Sequence, residues 1–104
     1  MSLQHPATAD LVLPAVLHAL SDPHRLQIVQ ALATSETPLR CGTMGLSITK
    51  STATHHFRVL RDAGVIHQVE DGTARLNSLR REDLDARFPG LLDAVLGAVP
   101  AVPA

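Results

Sequence analysis

Apolar positions recur in a helical rhythm over most of the chain and switch to an alternating rhythm once. Between Ser47 and Gly64, Ala53, Phe57 and Leu60 return at steps of four and three, which marks one buried helical face. Thr49 or Ser47 can cap the start of this helix, and Gly64 can end it in the left-handed conformation. Directly after it, Val65, Ile66 and Val69 open a strand-like run, Asp71-Gly72 is a two-residue hairpin signal, and Thr73 to Leu79 returns as a second strand. Upstream, Asp10 to Leu20 predicts a helix with Leu13, Val16, Leu17 and Leu20 on one side. Pro14 is tolerated only in a first turn, so the regular part can begin near Leu13. Ser21-Asp22-Pro23 is a helix entry, and the next helix runs to about Ala33 with Leu26, Ile28, Val29 and Leu32 inward. His24 and Arg25 fall in its first turn and read as solvated positions. Arg25 has the alternatives of a phosphate contact or an acidic partner.

Other stretches carry weaker patterns. Met1 to Ala9 is polar and irregular and is expected to form a flexible N-terminus. Thr34 to Pro38 reads as a loop. Leu39 to Leu46 holds two glycines and little periodicity, which predicts a short or irregular helix near Arg40 to Met44, with Pro38 to Arg40 available as a brief third strand. Arg80 to Leu84 begins a final helical region, Phe88-Pro89-Gly90 interrupts it, and Leu91 to Val99 resumes with Leu91, Leu92, Val95, Leu96 and Val99 in one wide stripe. Pro100 to Ala104 is a tail. One domain over residues 10–99 is expected, mainly α with a β-hairpin and about five helices.

The outer face of the central helix carries Lys50, Ser51, Thr54, His55, Arg58 and Arg61. Short hydrogen-bonding groups stand toward its N-terminus and longer cations toward its C-terminal half. Base edges in a major groove are met by the first kind and phosphates by the second. An ordinary solvated face has a similar make-up, but this helix runs straight into a hairpin, which is the layout of a winged helix-turn-helix.

Lys50-Ser51-Thr52-Ala53-Thr54-His55-His56-Phe57-Arg58-Val59-Leu60-Arg61-Asp62-Ala63-Gly64-Val65-Ile66 resembles the recognition helix and wing entry of ArsR/SmtB-type bacterial transcriptional repressors. Leu20-Ser21-Asp22-Pro23-His24-Arg25-Leu26-Gln27-Ile28-Val29 resembles the same family's second-helix signature. The likeness follows the family's order and spacing over roughly Leu11 to Leu96. It implies a repressor that binds operator DNA as a homodimer. Leu39 to Leu46 departs from the pattern, since the family places a positioning helix there. Many such repressors release DNA on binding metal. The family's best-known site has paired cysteines at the positioning helix, where this chain has only Cys41, and a second site uses Asp and His ligands on the last helix, whereas no histidine follows His67. Neither site is complete, so no metal or other cofactor is expected, and the inducer, metal or small molecule, is not specified by the sequence.

Composition modifies this picture in three respects. At 104 residues the chain buries only about two-thirds of its unfolded surface, so a partner chain would add stability. With two Phe and no Trp or Tyr among 45% apolar residues, the core must be aliphatic, and the composition argues against a stacking platform for single strands. A net charge of −1 argues against nucleic-acid binding until its distribution is read. From Thr37 through Arg61 there is no acid, while Arg40, Lys50, Arg58 and Arg61 give +4; the other five cations against ten acids leave −5 elsewhere. Such segregation presents one cationic face to phosphates. One cysteine cannot form an internal disulfide, and no stretch reads as a signal peptide or a membrane span, so a cytoplasmic protein without membrane partners is expected.

The expected DNA contacts are therefore specific. Ser51, Thr52, Thr54 and His55 face base edges or nearby phosphates, and Lys50, Arg58 and Arg61 face phosphates. His56, between the groove face and the core, is expected to hydrogen-bond a backbone group or phosphate. Thr73 and Arg75 lie on the wing, with Arg75 directed at the backbone or adjacent minor groove. Leu13, Val16, Leu17, Leu91, Leu92, Val95 and Leu96 are the expected dimer seam. Cys41 is a candidate redox or metal sensor or a plain half-buried loop residue. His55 and His56 have no carboxylate in their segment, and no phosphate loop or paired-carboxylate motif is present, so an enzyme is not expected. A winged helix used only for protein interaction is the remaining alternative.

Overall fold

The structure, a computed structural model, describes residues 3–99. The tail at Pro100 to Ala104 and the first two residues lie outside them. Helix α1 spans Leu13–Ala19, with Pro14 in its first turn, where its missing N–H costs no hydrogen bond. Helix α2 spans Pro23–Thr34; the Asp22 carboxylate caps it by accepting from the amides of His24 and Arg25. Helix α3, Lys50–Ala63, is capped by Thr49 Oγ1, which accepts from the Thr52 amide, and ends at Gly64 with φ of 84°. The spacing of apolar residues and the two end signals thus found their predicted places.

The hairpin follows without a linker. Strands β2, Ile66–Asp71, and β3, Ala74–Leu79, pair antiparallel from Ile66↔Leu79 to Asp71↔Ala74. Gly72 and Thr73 form the two-residue turn, and the positive φ of Gly72 (64°) is the conformation that such a tight connection demands of its first central residue. Leu39–Arg40 forms a two-residue strand β1, placed on the other side of β3 with Leu39 opposite Asn77, so the sheet order is β1-β3-β2. Where the family would place a positioning helix, the chain makes a 3-10 turn at Cys41–Thr43, within the short, irregular helix expected near Arg40 to Met44. Two short helices close the described chain, α4 at Arg81–Arg87 and α5 at Leu91–Ala98, separated by the break at Phe88 to Gly90.

One aliphatic core joins these elements. Leu11, Val16, Ala19 and Leu20 meet Ile28, Val29 and Leu32 of α2, Phe57 and Leu60 of α3, Val65 and Ile66 at the wing entry, and Leu84 and Leu92 of the last helices. Ile28 and Leu60 are wholly buried, and truncating either to Ala costs about 2–5 kcal/mol by lost burial plus the cavity left behind. The architecture is a winged helix-turn-helix, mainly α, in which α3 is anchored on one side and open on the other.

The N-terminal segment departs from the flexible arm expected of it. Thr8–Asp10 forms a 3-10 turn, and Thr8 Oγ1 donates to Asp83 Oδ1 at 2.7 Å. Arg80 Nη1 donates to the Pro6 carbonyl at 2.8 Å, and the Gln68 amide of β2 donates to His5 Nε2 at 2.9 Å. The His5 ring stacks on His67 with centroids 4.3 Å apart. Burial, reinforced by the nearby charges of His67, Arg80 and Arg61, holds His5 below the usual histidine pKa. Apolar periodicity could not predict this strap, because polar side chains and carbonyls hold it.

Candidate nucleic-acid interface

The exposed side of α3 begins at its N-terminus. Lys50, Ser51, Thr52, Thr54 and His55 are all exposed, in a stretch without any carboxylate. Thr49, at the cap, donates its hydroxyl to Thr52 Oγ1 at 2.8 Å and lies 3.3 Å from Ser51 Oγ, so the three hydroxyls form one local cluster. Thr54 Oγ1 donates to the Lys50 carbonyl at 2.9 Å, a back-bond that leaves its lone pairs as the outward-facing function. The positive dipole end of α3 lies at this same end of the helix, which suits a phosphate.

Further along the helix the side chains divide. The Arg58 side chain is 72% exposed and lies 3.6 Å from Asp62 one turn on. At such exposure the pair contributes only about 0.3–0.5 kcal/mol, little enough for a phosphate to displace Asp62. Arg61, expected on the same face, is turned inward: its side chain is 13% exposed and Nη1 donates to Gln68 Oε1 at 2.8 Å. Its position one turn after Phe57 and beside Leu60 places it at the helix–wing seam, where it joins α3 to β2. His56 is likewise buried, 7% exposed, and its Nδ1 accepts from Arg25 Nη1 at 3.0 Å, a side-chain partner on α2 rather than the backbone group or phosphate expected of it. Arg25 is also 7% exposed rather than solvated, because α1 and α3 both cover it.

The wing carries Thr73, exposed at the turn, and Arg75, half-buried on β3. Strand β1 brings Arg40 to the same corner, where Nη2 lies 3.7 Å from Asp71 Oδ2. Beneath the wing is a polar chain that sequence patterns did not single out. Gln68 Nε2 donates to Asn77 Oδ1 at 2.7 Å, and Asn77 Nδ2 donates to the Leu39 carbonyl at 3.0 Å and to Cys41 Sγ at 3.3 Å. Gln68 and Asn77 are 2% and 0% exposed, so each polar atom needs its partner. An amide in a strand gives no warning of this in one sequence; only the register, with Gln68 opposite Asn77, brings the pair together.

Of the seven residues expected at a dimer seam, Val16 and Leu92 are core residues, 1% and 2% exposed. Leu91, Val95 and Leu96 are half-buried against the same core. Leu13 and Leu17 remain open at 42% and 45%, joined by Val12 at 55%. Helices this short turn part of any wide stripe inward, which the stripe alone could not apportion.

Cys41 is half-buried at the end of β1. Among the described residues no group of three or more His, Cys, Asp or Glu is gathered as metal ligands would be. No described helix is long and apolar enough to cross a membrane.

Comparison with known proteins agrees with this geometry. Residues 20–69, from the end of α1 into β2, match the helix-turn-helix domain family. The chain is also 35% identical over 88 residues to the uncharacterized HTH-type transcriptional regulator YceK of Bacillus subtilis (strain 168), an alignment that covers 83% of this chain and 88% of that protein. With an open polar helix, a hairpin wing behind it and this kinship, the chain belongs to the helix-turn-helix family of DNA-binding transcriptional regulators.

Proposed function

We propose that the protein is a repressor of the ArsR/SmtB type that binds a pseudo-palindromic operator as a homodimer. The observation that carries this reading is the carboxylate-free opening of α3, where Lys50, Ser51, Thr52, Thr54 and His55 all face outward. In this reading α3 enters the major groove once per subunit, with half-sites about one helical turn apart. Thr54, Ser51, Thr52 and His55 meet base edges or adjacent phosphates. Lys50 and Arg58 meet phosphates, while Thr73 and Arg75 follow the backbone or the neighbouring minor groove. The seam of the dimer draws on Leu13 and Leu17 of α1 and on the outer edges of Leu91, Val95 and Leu96, since Val16 and Leu92 serve the core. The motifs around Leu20 to Val29 and Lys50 to Ile66 support the repressor assignment.

Selection of duplexes from a random pool, followed by footprinting and mass measurement of the complex, tests this directly. A selected site with two inverted half-sites and two chains per duplex is the expected result. Absence of any selected sequence at physiological salt would favour the protein-interaction module instead.

Cys41 supports a second reading, in which a thiol modulates DNA release. Its sulfur accepts from Asn77, whose other partners are Gln68 and the Leu39 carbonyl, so a change at the sulfur is felt by all three strands. A Cys41→Ser variant that still releases DNA on exposure to oxidants or thiophilic metals would remove this reading.

A further inference from the structure

Arg25 and His56 are buried behind the outward face of α3, and the contacts proposed for DNA do not use them. Their geometry fixes one protonation state. A guanidinium only donates, so His56 Nδ1, 3.0 Å from Arg25 Nη1, presents its lone pair and the ring proton sits on Nε2. The same guanidinium donates from Nε to the Ala19 carbonyl at 2.8 Å and from Nη2 to the His18 carbonyl at 3.3 Å. One planar group therefore joins the C-terminal end of α1, the first turn of α2 and the second turn of α3.

We propose that Arg25 and His56 are positioning residues for DNA reading, and that proton uptake by His56 frees the reading helix from α1 and α2. A protonated ring would turn an N–H of Nδ1 toward an N–H of Arg25, and the contact would become a repulsion. The groups around the ring decide how readily this happens. Asp22 Oδ1, at the head of α2, lies 3.9 Å from Nε2 and favours the charged ring. That oxygen already accepts from the amides of His24 and Arg25 at 2.8 and 3.1 Å, so it is committed to the cap. Against it stand burial, Arg25, His24 of α2 and His55 of α3, the two rings each 5.7 Å from the His56 ring. Burial first, aided by the Arg25 guanidinium and the two neighbouring rings, outweighs Asp22 and holds His56 below the ordinary histidine value of 6.5. From α1 only backbone carbonyls, those of His18 and Ala19, face the guanidinium. The contact is thus closed at neutral pH and opens as the solution becomes acidic.

This inference rests on α3 being the helix that reads DNA, so its first test uses no DNA. Imidazole nitrogen shifts of the full chain should show His56 in the Nε2–H form at pH 7.5. On acidification the protection of α3 amides, corrected for intrinsic exchange rates, should fall about tenfold, the loss typical of one charge-assisted contact, at a midpoint that follows the titration of His56 itself. His56→Asn places an acceptor oxygen where Nδ1 stands but does not titrate, and it should keep α3 protected throughout. The second test uses a duplex selected by the wild-type protein at pH 7.5. The ratio of wild-type to His56→Asn affinity should fall about tenfold between pH 7.5 and 5.5, and the ratio cancels whatever the other histidines contribute. An Nδ1–H form at pH 7.5, an exchange step unrelated to the His56 titration, or the same pH profile in His56→Asn overturns the proposal. Should that variant fail to fold, the wild-type comparison of exchange midpoint with titration decides alone. Failure to select any duplex would count against DNA reading, while the exchange measurements still judge the contact.

Discussion

Thr54 gives its only hydroxyl hydrogen to the Lys50 carbonyl, so toward a groove it can only accept. That limits the base edges it could read to the amino groups of adenine or cytosine, with its methyl available to thymine. Thr54→Ala should relax sequence preference at one base pair by about 1–3 kcal/mol, read as a flattened selection profile. Uniform weakening on every sequence would reassign Thr54 to the backbone. Arg58 and Arg61 should behave differently despite their shared helix and charge. Arg58→Ala should lower the salt slope of binding by about one phosphate's worth. Arg61→Ala should leave that slope unchanged and instead destabilise the fold by about 1–3 kcal/mol in urea titration, because Gln68 Oε1 loses its donor inside the seam. The outward direction of Lys50, Ser51, Thr54 and Arg58 was legible from helical spacing. Arg61, His56 and Arg25 were misplaced because a polar residue buried by a specific partner leaves the same trace in a sequence as a solvated one.

At the level of elements, helix ends and the turn were legible because each depends on local chemistry: the Asp22 and Thr49 caps, Gly64 and Gly72. Those two glycines share a positive φ but not a neighbourhood. A Cβ at Gly64 would overlap Leu11 Cδ2 and press on Pro6, whereas one at Gly72 meets open space. Gly72→Ala should therefore cost about 1 kcal/mol, the backbone penalty alone. Gly64→Ala should cost about 3 kcal/mol or more in chemical denaturation, since overpacking against Leu11 and Pro6 adds to that penalty. Equal losses would show that the Leu11 contact relaxes freely. Leu39 to Leu46 carried the weakest signal, although the brief strand and the short irregular helix expected there are both present. Its two residues of strand are fixed by pairing with β3, a partner nearly forty positions away, and its 3-10 turn has no periodic signal at all.

For the whole molecule, the groups with displaced pKa values predict how stability changes with pH. His5 and His56 sit below 6.5, each mainly through burial, so the folded chain takes up protons less readily than the unfolded one. Their contribution is complete above pH 6.5 and is lost as pH falls from there through their folded values. Asp83, held down by the Thr8 hydroxyl and by Arg80, lies below the ordinary 3.8. So does Asp22, where burial pushes upward but the amides of Arg25 and His24 prevail. These two carboxylates add a second loss as pH falls below 3.8. Thermal unfolding across pH 7.5 to 3 should show Tm declining in two stages, and a single decline confined to the acid end would contradict the histidine placements.

The sheet order leaves β2 with an outer side that no other strand covers. His5 occupies that side by taking the Gln68 amide hydrogen, and Pro6 and Thr8 moor it to Arg80 and Asp83. A protein lacking residues 1–8 would present a naked row of β2 amides and carbonyls, with exposed Val69 beside them, to any extended polypeptide in solution. Light scattering should then record concentration-dependent self-assembly that added DNA does not reverse. In that sense residues 5–8 act as a guard against adhesion, a duty separate from the one carried by the outward face of the helix that leads into the wing.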